Sequence, residues 1–177
     1  MNAAAVALLG VVAVGGLVLT AWGERPRRPW ARPVLAAILA AVLAVAALLA
    51  WVGTDASDRL VEIGALVAVL AAVAAGGPVA TAVLAAADPS AVGVPGGPQD
   101  SDILRGGAWI GVLERAAVAA TLLAGSAEGL VVVLAVKGLG RYSELRAPAA
   151  AERFIVGTLA SALWAAACVG VAILLRG

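Results

Sequence analysis

Glu128 stands in a long apolar stretch, two residues from the hydroxyl of Ser126. A carboxylate at membrane depth is costly and marks a candidate functional site. It can relay a proton, hold an ion or pair with a charge on another helix. The plainer readings are a hydrogen bond across a helix interface, or a place at a turn. Glu114, Arg115 and Lys137 frame the same stretch, as a candidate charge pair or as interfacial charges that end a span. Lys137, Arg141 and Glu144 follow at i, i+4 and i+7, on one helical face. That spacing suggests a short amphipathic helix over 137–146, lying on the membrane and able to meet phosphates of lipids or a partner. Simple solvation is the plainer account. Gly76-Gly77-Pro78 is a candidate helix break inside an apolar run. A broken helix would free carbonyls to line a cavity. A proline kink in a continuous tilted helix is the preferred reading.

Other chemistry has little support. The chain has no histidine, so the commonest general base and transition-metal ligand are missing. Cys168 is the single cysteine, which rules out an intrachain disulfide and a thiolate metal cluster. There is no phosphate-binding loop, no Gly-x-Ser-x-Gly elbow and no metal-ligand cluster. Asp55 and Asp58 are close enough in sequence to share a cation, but loop aspartates are usually just solvated. No cofactor and no metal are expected. An intramembrane enzyme acting on lipid through Glu128, Ser126 or Asp88 is kept as a remote alternative.

These residues must be positioned by elements that live in lipid. Of 177 residues, 63% are hydrophobic and 13% charged, with net charge +1. A soluble domain is nearer half apolar and a quarter charged. The near-zero net charge gives no pull toward nucleic acid. Five apolar segments stand out, at about 3–22, 33–52, 60–87, 116–136 and 154–175, with an extramembranous loop over 88–102. Each reaches the roughly 20 residues needed to cross about 30 Å of hydrocarbon. Lipid leaves an open sheet edge unsatisfied, so the expected fold is all-α: a polytopic membrane helix bundle forming one domain over 1–177, with five transmembrane segments and a range of four to six. The first segment lacks a basic leader and a clear cleavage site, so it reads as a retained helix and not a signal peptide. Gly10, Gly15 and Gly16 in the first segment, and Gly157, Ser161 and Ala165 in the last, lie at or near small-xxx-small spacing for helix packing.

Topology is contested by the charges. Arg25, Arg27, Arg28 and Arg32 place the first loop in the cytoplasm by the positive-inside rule. Five crossings then put the amino terminus outside and the carboxyl terminus inside. They also strand Lys137, Arg141, Arg146 and Arg153 on the outer side. A helical hairpin with its tip at Gly125-Ser126 repairs this, running 104–124 against 127–145. Reflection about that tip sets Glu114 opposite Lys137. The cost is three charges at membrane depth, roughly 2.5–3.5 kcal/mol each before pairing. The single span over 116–136 buries one charge and is preferred on that count.

The carboxyl half reads IGVLER from Ile110, then an apolar run holding Gly125, then LAVKGLGRYSEL and AERFIVGTLAS. It resembles the carboxyl-terminal membrane module of a bacterial family classed only as a domain of unknown function. Gly111, Leu113, Glu114, Arg115, Gly125, Lys137, Arg141, Tyr142, Glu144, Leu145, Gly157, Thr158 and Leu159 carry the match. It covers about 50 residues. Ser126 and Gly138 depart from the family pattern, which has Gln and Ser there, and the amino half is unmatched. The resemblance implies a bacterial inner-membrane setting and a role for Glu114, Arg115, Lys137 and Arg141, but no activity. The expectation is a small, non-enzymatic structural or accessory subunit, homo-oligomeric or within a larger membrane complex. A small transporter or channel is the alternative.

Overall fold

The computed structural model describes residues 1–21, 31–54, 56–87, 107–142, 144–146 and 148–177. The basic stretch 22–30 and the expected loop 88–102 lie outside the described residues. Among the described residues six α-helices follow in order: α1 (Asn2–Ala21), α2 (Ala31–Val52), α3 (Asp58–Ala87), α4 (Gly107–Leu123), α5 (Ala127–Gly140) and α6 (Pro148–Leu174). A 3-10 turn, Glu144–Arg146, leads into α6. Among the described residues, four helices are long and apolar enough to cross a membrane: α1, α2, α3 and the 150–174 part of α6. The chain is a multi-pass membrane protein. Large apolar side chains are exposed on every helix, Leu17, Leu48, Leu66, Leu113, Val132 and Leu163 among them. In water such a surface would aggregate; in lipid it is solvated.

α3 is the axis of the bundle. α1 runs parallel to it, with Gly16 facing the backbone at Ala75 and Val6 near Gly64. A Cβ on Gly16 would fall 2.5 Å from the Ala75 Cα, so only glycine permits this approach. α6 runs antiparallel to α3: Gly157 faces Leu84, and Leu175 reaches Gly64. Asn2 at the head of α1 donates to the Thr54 carbonyl beyond the end of α2. The Ala56 N–H, just before α3, donates to the Leu175 carbonyl at 3.4 Å. The starts of α1 and α3 and the ends of α2 and α6 therefore share one end of the bundle, and both termini lie there.

The preferred single span over 116–136 is not what forms. The chain turns at residues 124–126 and makes a hairpin of α4 and α5. Gly125 adopts a left-handed conformation (φ 68°). Its N–H bonds the Leu122 carbonyl at 3.1 Å, and the Ser126 N–H bonds the Thr121 carbonyl at 2.9 Å. These are the two bonds of a Schellman helix end. Ser126 then caps the next helix, its hydroxyl accepting from the Gly129 N–H at 3.1 Å. One dipeptide stops α4 and starts α5.

Candidate functional site

Lipid makes each polar group account for its partner, and the partners converge on one stretch of α3. Pro78 has no N–H, so the carbonyl of Ala74 loses its helical donor. Three neighbouring carbonyls on this turn face side chains from three other helices. The Trp164 indole N–H donates to the Ala71 carbonyl at 3.3 Å. The Arg115 Nε donates to the Val73 carbonyl at 3.1 Å. The Thr20 hydroxyl, bonded to the Gly16 carbonyl at 2.8 Å, lies 3.4 Å from the Ala74 carbonyl. The broken-helix reading of Gly76-Gly77-Pro78 is therefore corrected. α3 is continuous through all three residues.

The two glycines serve instead as a seat. A Cβ on Gly76 would come 2.3 Å from the Arg115 Cδ and 3.2 Å from the Trp164 Cδ1. The Arg115 guanidinium lies over Gly77 and against Gly111 on its own helix. Arg115 is only 8% exposed, which is rare for an arginine.

Glu114, next on α4, takes the ammonium of Lys137 across the hairpin in an ion pair. The reflection about Gly125-Ser126 places this pair as the sequence implied. Lys137 also stands 6.0 Å from the centre of the Phe154 ring, a cation–π distance. Thr158 and Ser161 on α6 complete the cluster. They share with Glu114, Arg115 and Lys137 the lining of a cavity of about 10 Å³, room for about one water. The Thr158 Oγ1 is buried with no hydrogen-bond partner. A wider groove of about 740 Å³ opens sideways between α2 and α6 over α3. Apolar side chains such as Leu43, Val79 and Leu163 line it, and it offers no chemistry.

Other expected site residues fall elsewhere. Glu128 is not mid-span: it is exposed in the first turn of α5, with its Oε2 3.4 Å from the Ser126 Oγ. There the helix dipole favours a carboxylate. The amphipathic helix over 137–146 does not form either. α5 ends at Gly140 and the 3-10 turn begins at Glu144. Gly138 and Gly140 weaken the helix at this point, so Arg141 caps α5 and Glu144 no longer continues its face. Thr158 and Ser161 were missed as polar partners. Their signal is a pair of hydroxyls about one turn apart, Thr158 and Ser161, with Trp164 a further turn on, and it reads equally well as small-residue packing. Comparison with protein-family models, curated proteins and solved structures finds no match to this chain.

Proposed function

We propose that the chain is a non-enzymatic structural or accessory subunit in a bacterial inner membrane, assembling with itself or with a larger membrane protein. One observation carries this reading: the charges of the α4–α5 hairpin are turned inward on partners of the same chain, around a space for about one water. Glu114 and Lys137 tie α4 to α5, and Arg115 braces the hairpin against α3. The apolar α2–α6 groove supplies a surface on which another membrane helix could pack. The resemblance of residues 110–161 to a bacterial membrane family supports the bacterial setting.

The test is the mass of the particle purified in mild detergent. An oligomer or a stable co-purifying partner is the expected result, and Ala160→Trp, which fills the groove, should dissociate it. A strictly monomeric particle at all concentrations would count against the reading. The polar cluster between the helices also favours a second reading, a small transporter. In that case a flux into liposomes should be abolished by Glu114→Gln and untouched by Glu128→Gln.

A further inference from the structure

We propose that the groove between α2 and α6 binds an anionic phospholipid, with an acyl chain along the groove and the phosphate at the end where α2 and α6 begin. The argument starts from shape. The groove has a volume of about 740 Å³, within the roughly 300–1,000 Å³ of sites that hold a small organic molecule. Small residues make the hollow: Ala40, Ala44 and Ala47 on α2, and Ala160, Ala167 and Gly170 on α6. The one polar side-chain group on its walls, the Trp164 indole N–H, is taken by the Ala71 carbonyl. The occupant is therefore a hydrocarbon. On α6 the wall runs from Val156 to Leu174, about 27 Å of helix. The groove thus follows the bilayer normal, the direction in which acyl chains lie. Spread over that length, its volume gives a cross-section on the order of 30 Å². A helix about 10 Å across needs roughly two to three times as much, so a helix can rest on the groove but not fill it.

Charge says which amphiphile fits, and which way up. Val156 and Val83 line the groove toward the start of α6, next to the contact of Gly157 with Leu84. Arg153 lies seven residues before Ala160 and fourteen before Ala167, whole turns along the face of α6 that lines the groove. Arg32 lies eleven residues before Leu43, three turns along the corresponding face of α2. Both arginines are half-buried. Glu152 adjoins Arg153 but falls off that register. Arg153 also interacts within the chain, and a guanidinium has enough N–H donors to hold a phosphate oxygen as well. Arginine meets phosphate through paired, charge-assisted bonds. At the opposite mouth, Arg59 and Arg176 are matched in number by Asp58 and Glu62, so no such asymmetry arises there. A basic site between membrane helices that leads into an apolar groove is the form that recognises an anionic lipid headgroup.

This proposal goes beyond the accessory-subunit reading and does not rest on it: a lipid seated here fills the groove of a lone chain, and a partner helix can pack over it. The experiment reads the groove from Trp164 by fluorescence. In the full chain Trp22, Trp30, Trp51 and Trp109 are replaced by Phe, which leaves Trp164 as the emitter. The chain is placed in phosphatidylcholine vesicles with a minor fraction of phosphatidylglycerol brominated on its acyl chains, or the same fraction of brominated phosphatidylcholine. Bromine quenches on contact, and the choline of the second lipid cancels its phosphate charge. Phosphatidylglycerol should occupy the site about fivefold more tightly, the discrimination that one arginine supplies, and high salt should shrink the preference. Arg153→Gln should bring the two lipids to equality while quenching by phosphatidylcholine stays as it was, which shows that the groove is intact. If that variant does not fold, Arg32→Gln and the salt dependence decide. Ala160→Leu fills the groove and should lower quenching by both lipids. Equal quenching by the two lipids in the unaltered groove would mean ordinary solvation by bulk chains and would overturn the proposal. No quenching by either would mean that another helix covers the groove, and would overturn it too. A preference that survives both arginine substitutions would overturn the placement of the phosphate.

Discussion

Arg115 is a charge made tolerable by what its neighbours lack. Gly76 and Gly77 leave out two side chains, and the space is taken by the arginine stem and guanidinium. Gly76→Ala should therefore cost about 1–3 kcal/mol, because the new methyl overlaps the Arg115 Cδ. Thermal unfolding in detergent checks this, with Gly10→Ala as the comparison, since nothing lies within 4 Å of a Cβ there. Glu114 and Lys137 call for a double-mutant cycle. Glu114→Gln and Lys137→Met should each lower stability by about 3 kcal/mol, by leaving one partner charged and unpaired. The double variant should lose less than the sum of the two. Strict additivity would show that the pair contributes nothing. The sequence alone makes Glu114 and Lys137 partners only if the chain turns at Gly125-Ser126. The unpartnered Thr158 hydroxyl was not legible, because a threonine in an apolar helix usually satisfies itself on its own backbone.

At the scale of elements, the spans of α1, α2 and α3 follow from run length and hydrophobicity, within a residue or two of the expected bounds. α6 starts six residues early, at Pro148, where proline suits a first helical turn. The fourth segment departs from a single span because local signals outweigh its average hydropathy. Gly125 followed by Ser126, with Glu128 two residues on, is a helix stop joined to a helix start. An apolar average over 116–136 hides it. Three buried charges also weigh against a hairpin even with Glu114 set opposite Lys137; the Val73 carbonyl that receives Arg115 is not legible in the sequence. The hairpin gives a sharp prediction. Cysteine at Ala124, which is exposed at the tip, should react with a membrane-impermeant maleimide from the side on which the termini lie. Native Cys168 is fully buried and should stay silent. Labelling from the opposite side would be incompatible with the hairpin.

For the molecule as a whole, the hairpin changes the sidedness. α4 begins after α3 has crossed, and α6 must start from the same end that α3 reached. With five crossings the termini would lie on opposite sides; here they share one. Arg32, Lys137, Arg146 and Arg153 belong to helix ends and turns at the far end of the bundle, and Arg25, Arg27 and Arg28 precede α2 in sequence. Arg59 and Arg176 lie at the end that holds the termini. The positive-inside rule then puts the terminal end outside the cytoplasm. A phosphatase reporter fused after Gly177 should be active, and a cytoplasm-dependent fluorescent reporter at the same place should be dark. The reverse pattern would invert the molecule or add a crossing.

The brevity of the hairpin has a consequence for how the protein is made. α4 has 17 residues and α5 has 14, about 26 Å and 21 Å of helix. Neither is a self-sufficient insertion signal, and between them they bring Glu114, Arg115 and Lys137. Such a segment has no stable place in the bilayer until Gly76 and Gly77 are already there to receive Arg115. This predicts an ordered biogenesis, in which α1 to α3 settle first as a template, the hairpin folds in against it, and α6 closes over both. A ribosome-bound chain truncated after α5 should hold the hairpin only loosely, and filling the Gly76 seat would delay maturation before it altered the finished fold.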